Sequence, residues 1–383
     1  MKRWLLLFLV ATSLWGATQS MSPRTFETLN TINGLLEANQ SSQAKQLLTS
    51  TIAQTAPQKS YDLAFLYNTQ AGLAIQEGNY THAIASYQTA LDFGVLPSSM
   101  QTNMRYTMAQ LALQLARYAQ SLDYLAVWEA ENNMTHEAAK LKMVAYLGLE
   151  QPKNALIWTD KAIALKSEHD LTLLQNRLAL ELQLGLDSRA IDTLKLLIEQ
   201  FEPKRDYYKQ LSYLYQKEGQ TRKGTAILES AYQIGLLKEY DEILQLAQLL
   251  HYDGAPIKAA ALLQRATPPI DKAKAHWEYM AQLFLSSREN AKAIKALQTR
   301  DALSPEPKTA MLLAQLMAAD AQWAGCISYA KRLDTPQGKM LLGTCYAESG
   351  ERKEAQKIFS SMVEDTRYGK NAKLWLESLR NQE

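Results

Sequence analysis

The chain is poor in the residues that chemistry needs. Its 383 residues include five histidines and two cysteines. His82, His136, His169, His251 and His276 are scattered, and none has a second His or Cys at metal-ligand spacing. No Gly-rich phosphate loop, no Gly-x-Ser-x-Gly and no His-Glu-x-x-His occurs. Acidic pairs are common, but on helices they make solvated i,i+4 pairs. Runs of β-branched residues are scarce beside abundant Leu, Ala, Gln and Lys, which favours helix over sheet. The eleven prolines fall mostly between periodic segments, where they break helices rather than kink them. Catalysis has no foothold here: the chain is expected not to be an enzyme, and no cofactor is implied.

A surplus of one charge is missing too. Residues 1–20 form a separate object, with Lys2 and Arg3 ahead of an apolar stretch from Trp4 to Ala11 and small residues after it. That layout marks a secretory signal peptide, with an uncleaved N-terminal anchor as the alternative, and the stretch is well short of the ~20 apolar residues that span a bilayer. No cysteine follows it to take a lipid. Without Lys2 and Arg3, 39 basic residues balance 39 acidic ones. A neutral chain has no long-range pull toward nucleic acid or anionic lipid, so the expected partners are proteins, with membrane contact peripheral at most. The expected fate of the chain is export from the cytoplasm.

What the chain does have is a period. Ala44, Ala83, Ser121, Ala155, Ala190, Gly224, Ala259, Ala293, Cys326 and Ala355 stand 39, 38, 34, 35, 34, 35, 34, 33 and 29 residues apart. A bulky residue usually follows four places later (Tyr87, Leu125, Leu194, Leu228, Leu263, Leu297, Phe359), and often an apolar one three beyond that. A step near 34 on helical spacing predicts stacked helical hairpins, each too small to bury its own apolar face. A binding surface is a better expectation than an active site.

The last hairpin is the clearest: Leu342-Gly343, Tyr346, Gly350, Ala355 and Phe359. This resembles the tetratricopeptide repeat, in which small residues let two antiparallel helices approach while aromatics fill the flanks. The resemblance implies an all-α solenoid, a right-handed superhelix of about ten hairpins. The expected organisation is a signal at 1–20, a degenerate hairpin at 21–60, the solenoid over 61–368 and a capping helix at 369–383, where Leu374, Trp375, Leu376 and Leu379 sit among polar residues.

In this repeat class the first helices line the concave face. Counting back from each small residue gives the expected inward positions. The ninth place of the hairpin holds Gln110, Val144, Ala179, Tyr213, Gln248, Gln282 and Gln315; the fifth includes Asn68, Tyr106, Gln175 and Lys209. Amides among aromatic and apolar side chains suit an extended peptide. The alternative is a polar face that carries no ligand. Lys140 and Lys209 lack the matching Asn of a carboxylate clamp. Cys326 and Cys345 fall at the same level of adjacent helices, so they form either a disulfide, if their Cα atoms lie within about 7 Å, or two buried thiols.

A narrower likeness rests on Gly78-Asn79-Tyr80, on Gly94-Val95-Leu96-Pro97 running to Tyr106-Thr107-Met108-Ala109-Gln110-Leu111, and on Tyr252-Asp253-Gly254-Ala255-Pro256. These stretches resemble exported tetratricopeptide proteins of Gram-negative bacteria described as components of TonB systems. The likeness departs in the first hairpin and around Met134–Gln151. It implies a periplasmic accessory of the TonB–ExbB–ExbD machinery that drives siderophore–iron uptake. The competing expectations are an adaptor in cell-envelope or polysaccharide assembly and, more remotely, a peptidoglycan-processing enzyme.

Overall fold

The computed structural model describes residues 20–166 and 168–380. The expected export signal lies outside the described residues except for its last position. No described helix is long and apolar enough to cross a membrane.

Every regular element among the described residues is helical. Two compact units divide the chain, 1–201 and 202–383. The first holds five hairpins: α1 (Pro23–Glu37) with α2 (Ser41–Gln54), α3 (Ser60–Gln76) with α4 (Tyr80–Asp92), α5 (Ser98–Gln114) with α6 (Tyr118–Glu131), α7 (His136–Gly148) with α8 (Pro152–Ala164), and α9 (Leu171–Gln183) with α10 (Asp187–Gln200). The second holds five more: α11 (Arg205–Lys217) with α12 (Thr221–Gln233), α13 (Tyr240–Tyr252) with α14 (Pro256–Leu263), α15 (Ala273–Ser286) with α16 (Asn290–Leu303), α17 (Pro307–Ala319) with α18 (Trp323–Ala330), and α19 (Pro336–Glu348) with α20 (Arg352–Ser360). A last helix, α21 (Gly369–Arg380), follows. These are the ten hairpins the period predicts, with the degenerate first one as regular as the rest.

One device sets the register throughout. Each of the ten small residues is the fourth residue of its second helix and is buried. Five residues before each stands a residue in the left-handed region: Asn39, Gly78, Ala116, Glu150, Gly185, Gly219, Gly254, Arg288, Ala321 and Gly350. The N–H after it reaches back to a carbonyl five residues earlier, as from Asn79 to Ala74 at 2.8 Å and from Glu351 to Tyr346 at 2.9 Å. This double closure of the first helix satisfies its last carbonyls and launches the second helix at a fixed angle. Five of the ten left-handed residues carry a side chain, each at a cost of roughly 1–2 kcal/mol. Proline at the first position of α1, α8, α14, α17 and α19 supports five helix starts.

The small slot exists because the first helix passes close by. Ser121 fills it with a hydroxyl that donates to the carbonyl of Ala109 at 2.9 Å. A Cβ added at Gly224 would lie 2.7 Å from the carbonyl oxygen of Ser212, so this slot admits glycine alone without a backbone shift. At Gly343 a Cβ would meet the ring of Phe359 at 2.6 Å. Four residues past the slot, Leu48, Leu125, Leu194, Leu228, Leu263, Leu297 and Phe359 are buried in the stack.

Cys326 and Cys345 are joined as a disulfide with Cα atoms 6.1 Å apart. Closing a loop of this length contributes about 3 kcal/mol. At the C-terminus, α21 lays Trp375 parallel to Phe359 at 5.5 Å and buries Ala372 and Leu379.

Candidate partner-binding faces

The first helices of each unit share one face, and the residues read from sequence as inward lie along it. All seven ninth-place residues from Gln110 to Gln315 are exposed. In a chain whose neighbouring positions are packed against other helices, that uniform exposure follows from the fixed register. The fifth-place residues are less open: Asn68, Tyr106 and Gln175 are half-buried and Lys209 is exposed.

Shallow clefts lie between successive first helices. Asn68 helps line one of about 470 Å³ built from α1, α3, α4 and α5, together with Asn33, Gly72 and Asn103. Lys209 and Tyr213 line one of about 310 Å³ between α11 and α13. Gln282 lines another of about 250 Å³ between α15 and α17, beside Glu278, Arg300 and Glu306. The remaining candidates stand along the face outside these three clefts. Tyr106 is held by Trp128, ring centroids 5.3 Å apart, and burial followed by the charge of Glu137 pushes its phenol above the ordinary range.

Charge along this face is largely self-contained. Lys209 and Arg205 reach the same oxygen of the buried Glu242, at 3.2 and 3.5 Å, while its other oxygen is buried without a partner. Glu306 accepts from Lys274 and Arg300, and these hydrogen bonds hold its carboxyl below the usual range. Arg300 is a residue sequence reasoning missed. It fills the place seven beyond the small slot, which is Ala90, Trp128, Ala162, Leu197 and Ala231 elsewhere, and it is 2% exposed. Its guanidinium donates to the carbonyl of Ser304 at 2.9 Å, and its Nε has no partner. A basic residue in an otherwise apolar phase was the signal.

The first unit hides a second such group. Glu181 is fully buried and accepts from Arg177 at 2.9 Å, Arg189 at 3.1 Å and Thr193 at 2.7 Å, and both arginines also face Asp160. The bond and charge of Asp160 come first among the causes that raise the Arg189 guanidinium. Among the described residues no group of His, Cys, Asp and Glu is placed to hold a metal ion.

No family model matches the chain, and no curated protein does. Solved structures do. YrrB, a tetratricopeptide protein with an unusual peptide-binding site, is 19% identical over 54% of this chain and 97% of its own, with a TM-score of 0.37. A tetratricopeptide repeat protein from Parabacteroides merdae is 15% identical over 77% of this chain and 100% of its own, at 0.37. Naa15/Naa10 bound to HypK-THB gives 12% identity over 82% of this chain and 54% of that one, at 0.45.

Proposed function

We propose that the chain is a protein-interaction scaffold whose first-helix face holds an extended segment of a partner protein. The observation that carries this is the ninth-place row: exposed in every hairpin from the third to the ninth, and amide at Gln110, Gln248, Gln282 and Gln315. In the second unit, Gln248, Gln282 and Gln315 face water on the successive first helices α13, α15 and α17 and can pair with the backbone of a chain laid across them, while clefts such as that at Tyr213 receive its side chains.

The partner we propose is a component of a TonB–ExbB–ExbD system, met in the periplasm after removal of the N-terminal segment. What supports this finer reading is the export layout of residues 1–20 and the likeness of the hairpin sequences around Gly78 and Tyr252 to exported proteins of that kind. The test is co-purification of TonB and ExbD with the mature chain, compared with a Gln248→Ala, Gln282→Ala variant. Enrichment by the parent that drops at least about tenfold in the variant, on the order of 1.4 kcal/mol, supports the reading. Absence of enrichment removes the TonB assignment. Equal enrichment by both removes the first-helix face as the binding surface.

A further inference from the structure

Three second helices of the second unit are short: α14 and α18 have 8 residues and α20 has 9, against 13 and 14 for α12 and α16. Two of the three missing ends are filled by the chain itself. Leu333 after α18 and Met362 after α20 occupy the place seven beyond the small slot, and both are buried. Leu333 sits so close to α19 that a Cβ on Gly338 would lie 2.3 Å from it. After α14 the same place holds Ala266, half-buried, and Pro268 and Pro269 lead the chain away.

The vacancy is an open cleft of about 380 Å³. Its floor is Trp277, Met280 and Phe284 of α15, and its far wall carries Lys292, Lys295 and Thr299 of α16. On the other side of α14 lies a second cleft of about 330 Å³, floored by Leu246 and Leu250 of α13 and edged by Tyr232 and Arg265. Neither shares a lining residue with the clefts at Tyr213 and Gln282.

The rims are basic. Lys292 faces Glu289 at 3.2 Å and Lys258 faces Glu229 at 3.6 Å. Lys295 and Arg265, one at each cleft, have no carboxylate at ion-pair distance among the described residues, although both are exposed. Gln264, Ala266 and Pro268 line the first cleft and Arg265 edges the second, so the two clefts adjoin at the C-terminal end of α14. A chain in polyproline II conformation advances ~3.1 Å per residue with three residues per turn, which puts residues i and i+3 on one side about 9 Å apart.

We propose that this double cleft docks an extended acidic segment of a partner protein, with one apolar anchor in each cleft and carboxylates against Lys295 and Arg265. The surface is distinct from the first-helix face, so the two proposals fail separately.

The probe is a fluorescein-labelled peptide, Glu-Asp-Phe-Glu-Pro-Leu-Asp-Glu, titrated with the mature chain at low salt, where exposed charges are least screened. Saturable binding with half-saturation below about 0.1 mM is expected. Ala266→Leu, which fills the cleft as Leu333 does its own, and Lys295→Glu with Arg265→Glu should each weaken binding at least tenfold, with unchanged helicity. Gln248→Ala with Gln282→Ala should leave it unchanged. No saturation by the parent, unaltered affinity in the cleft variants, or loss in the glutamine variant would each overturn the proposal. Equal affinity for the peptide with serine at both anchors would reduce the site to charge attraction and overturn it as well.

Discussion

The two units are built from the same hairpin yet finish it differently. In the first, all five second helices run 13 or 14 residues, so each covers its neighbour along its whole length. In the second, three of five stop at 8 or 9 residues, and the chain must close the gap by other means: Leu333, Met362, the 326–345 disulfide, and Arg332 paired to both oxygens of the buried Asp301 at 2.6 and 3.0 Å. The first unit buries charged groups at Asp62, Lys142 and Glu181, the last of them fully. Full-length helices carry the place seven beyond the slot themselves: in the first unit Ala90, Trp128, Ala162 and Leu197 are helical and buried. Truncated ones leave notches that only some side chains fill. The same repeat thus supplies that residue from the helix in one unit and, at Leu333 and Met362, from the segment after the helix in the other.

The largest expected effect separates the units at their polar centres. Glu181→Ala leaves Thr193 and two arginines without their shared acceptor and should cost about 3 kcal/mol or more in urea unfolding. A loss under about 1 kcal/mol would mean that water replaces the carboxylate there, and that burial in the first unit is looser than the structure has it.

Next comes overpacking of the small slot. Ala190→Leu, beneath the full-length α10, should destabilise by about 3 kcal/mol, and Ala259→Leu, beneath the short α14, by about 1 kcal/mol, because the clefts around α14 let side chains move aside. Equal losses, or an unshifted melting temperature for either, would break the contrast or the register.

A smaller effect is common to both units. Ala116→Gly in the first and Arg288→Gly in the second relieve a left-handed residue of its Cβ and should each stabilise by about 0.5–1 kcal/mol. Destabilisation at either would show that the side chain at that turn contributes more than its strain costs.

The smallest is confined to the second unit. His276 is buried with Tyr240 at 3.1 Å and Trp277 edge-on, and burial holds its imidazole below the ordinary 6.5. The unfolded state therefore takes up a proton first on acidification. The stability involved is fully present above pH 6.5 and declines as pH falls from there toward the lower folded value. In the first unit Asp62 has the opposite chemistry and a lower window: burial raises its carboxyl, but hydrogen bonds from the Ser22 hydroxyl and N–H outweigh that and leave it lowered, so its contribution declines only below about pH 3.8. His276→Phe should remove the step beginning at pH 6.5 from melting curves and leave the acid step in place.

The hairpins and their register were legible because small residues at a fixed step leave a trace that composition alone does not hide. Even the first hairpin followed, on the strength of Ala44 and its step of 39 to Ala83. The left-handed turn residues were legible only where they are glycine; Ala116, Glu150, Arg288 and Ala321 look like ordinary helix residues in sequence. Helix truncation was silent at α14, since the step from Ala259 to Ala293 stays at 34 while a loop replaces the lost helix; across the short α18 the step drops to 29. Glu181 and Arg300 could be read as charged residues in apolar phase, but not as buried ones. Their partners come from other helices, which no periodicity reports. Of the candidate site, the face was legible and the clefts were not, because clefts depend on where neighbouring helices end.

The account rests on the register that buries the small slot and exposes the ninth place. Single cysteines placed at Gln110, Gln248, Gln282 and Gln315, and at the slots Ala190, Ala259 and Ala293, can be timed against a thiol reagent in a Cys326→Ala, Cys345→Ala background. The expected result is rapid labelling of all four face positions and labelling of the three slots only on unfolding. A face cysteine as protected as a slot cysteine, or a slot that reacts in the native state, would contradict it.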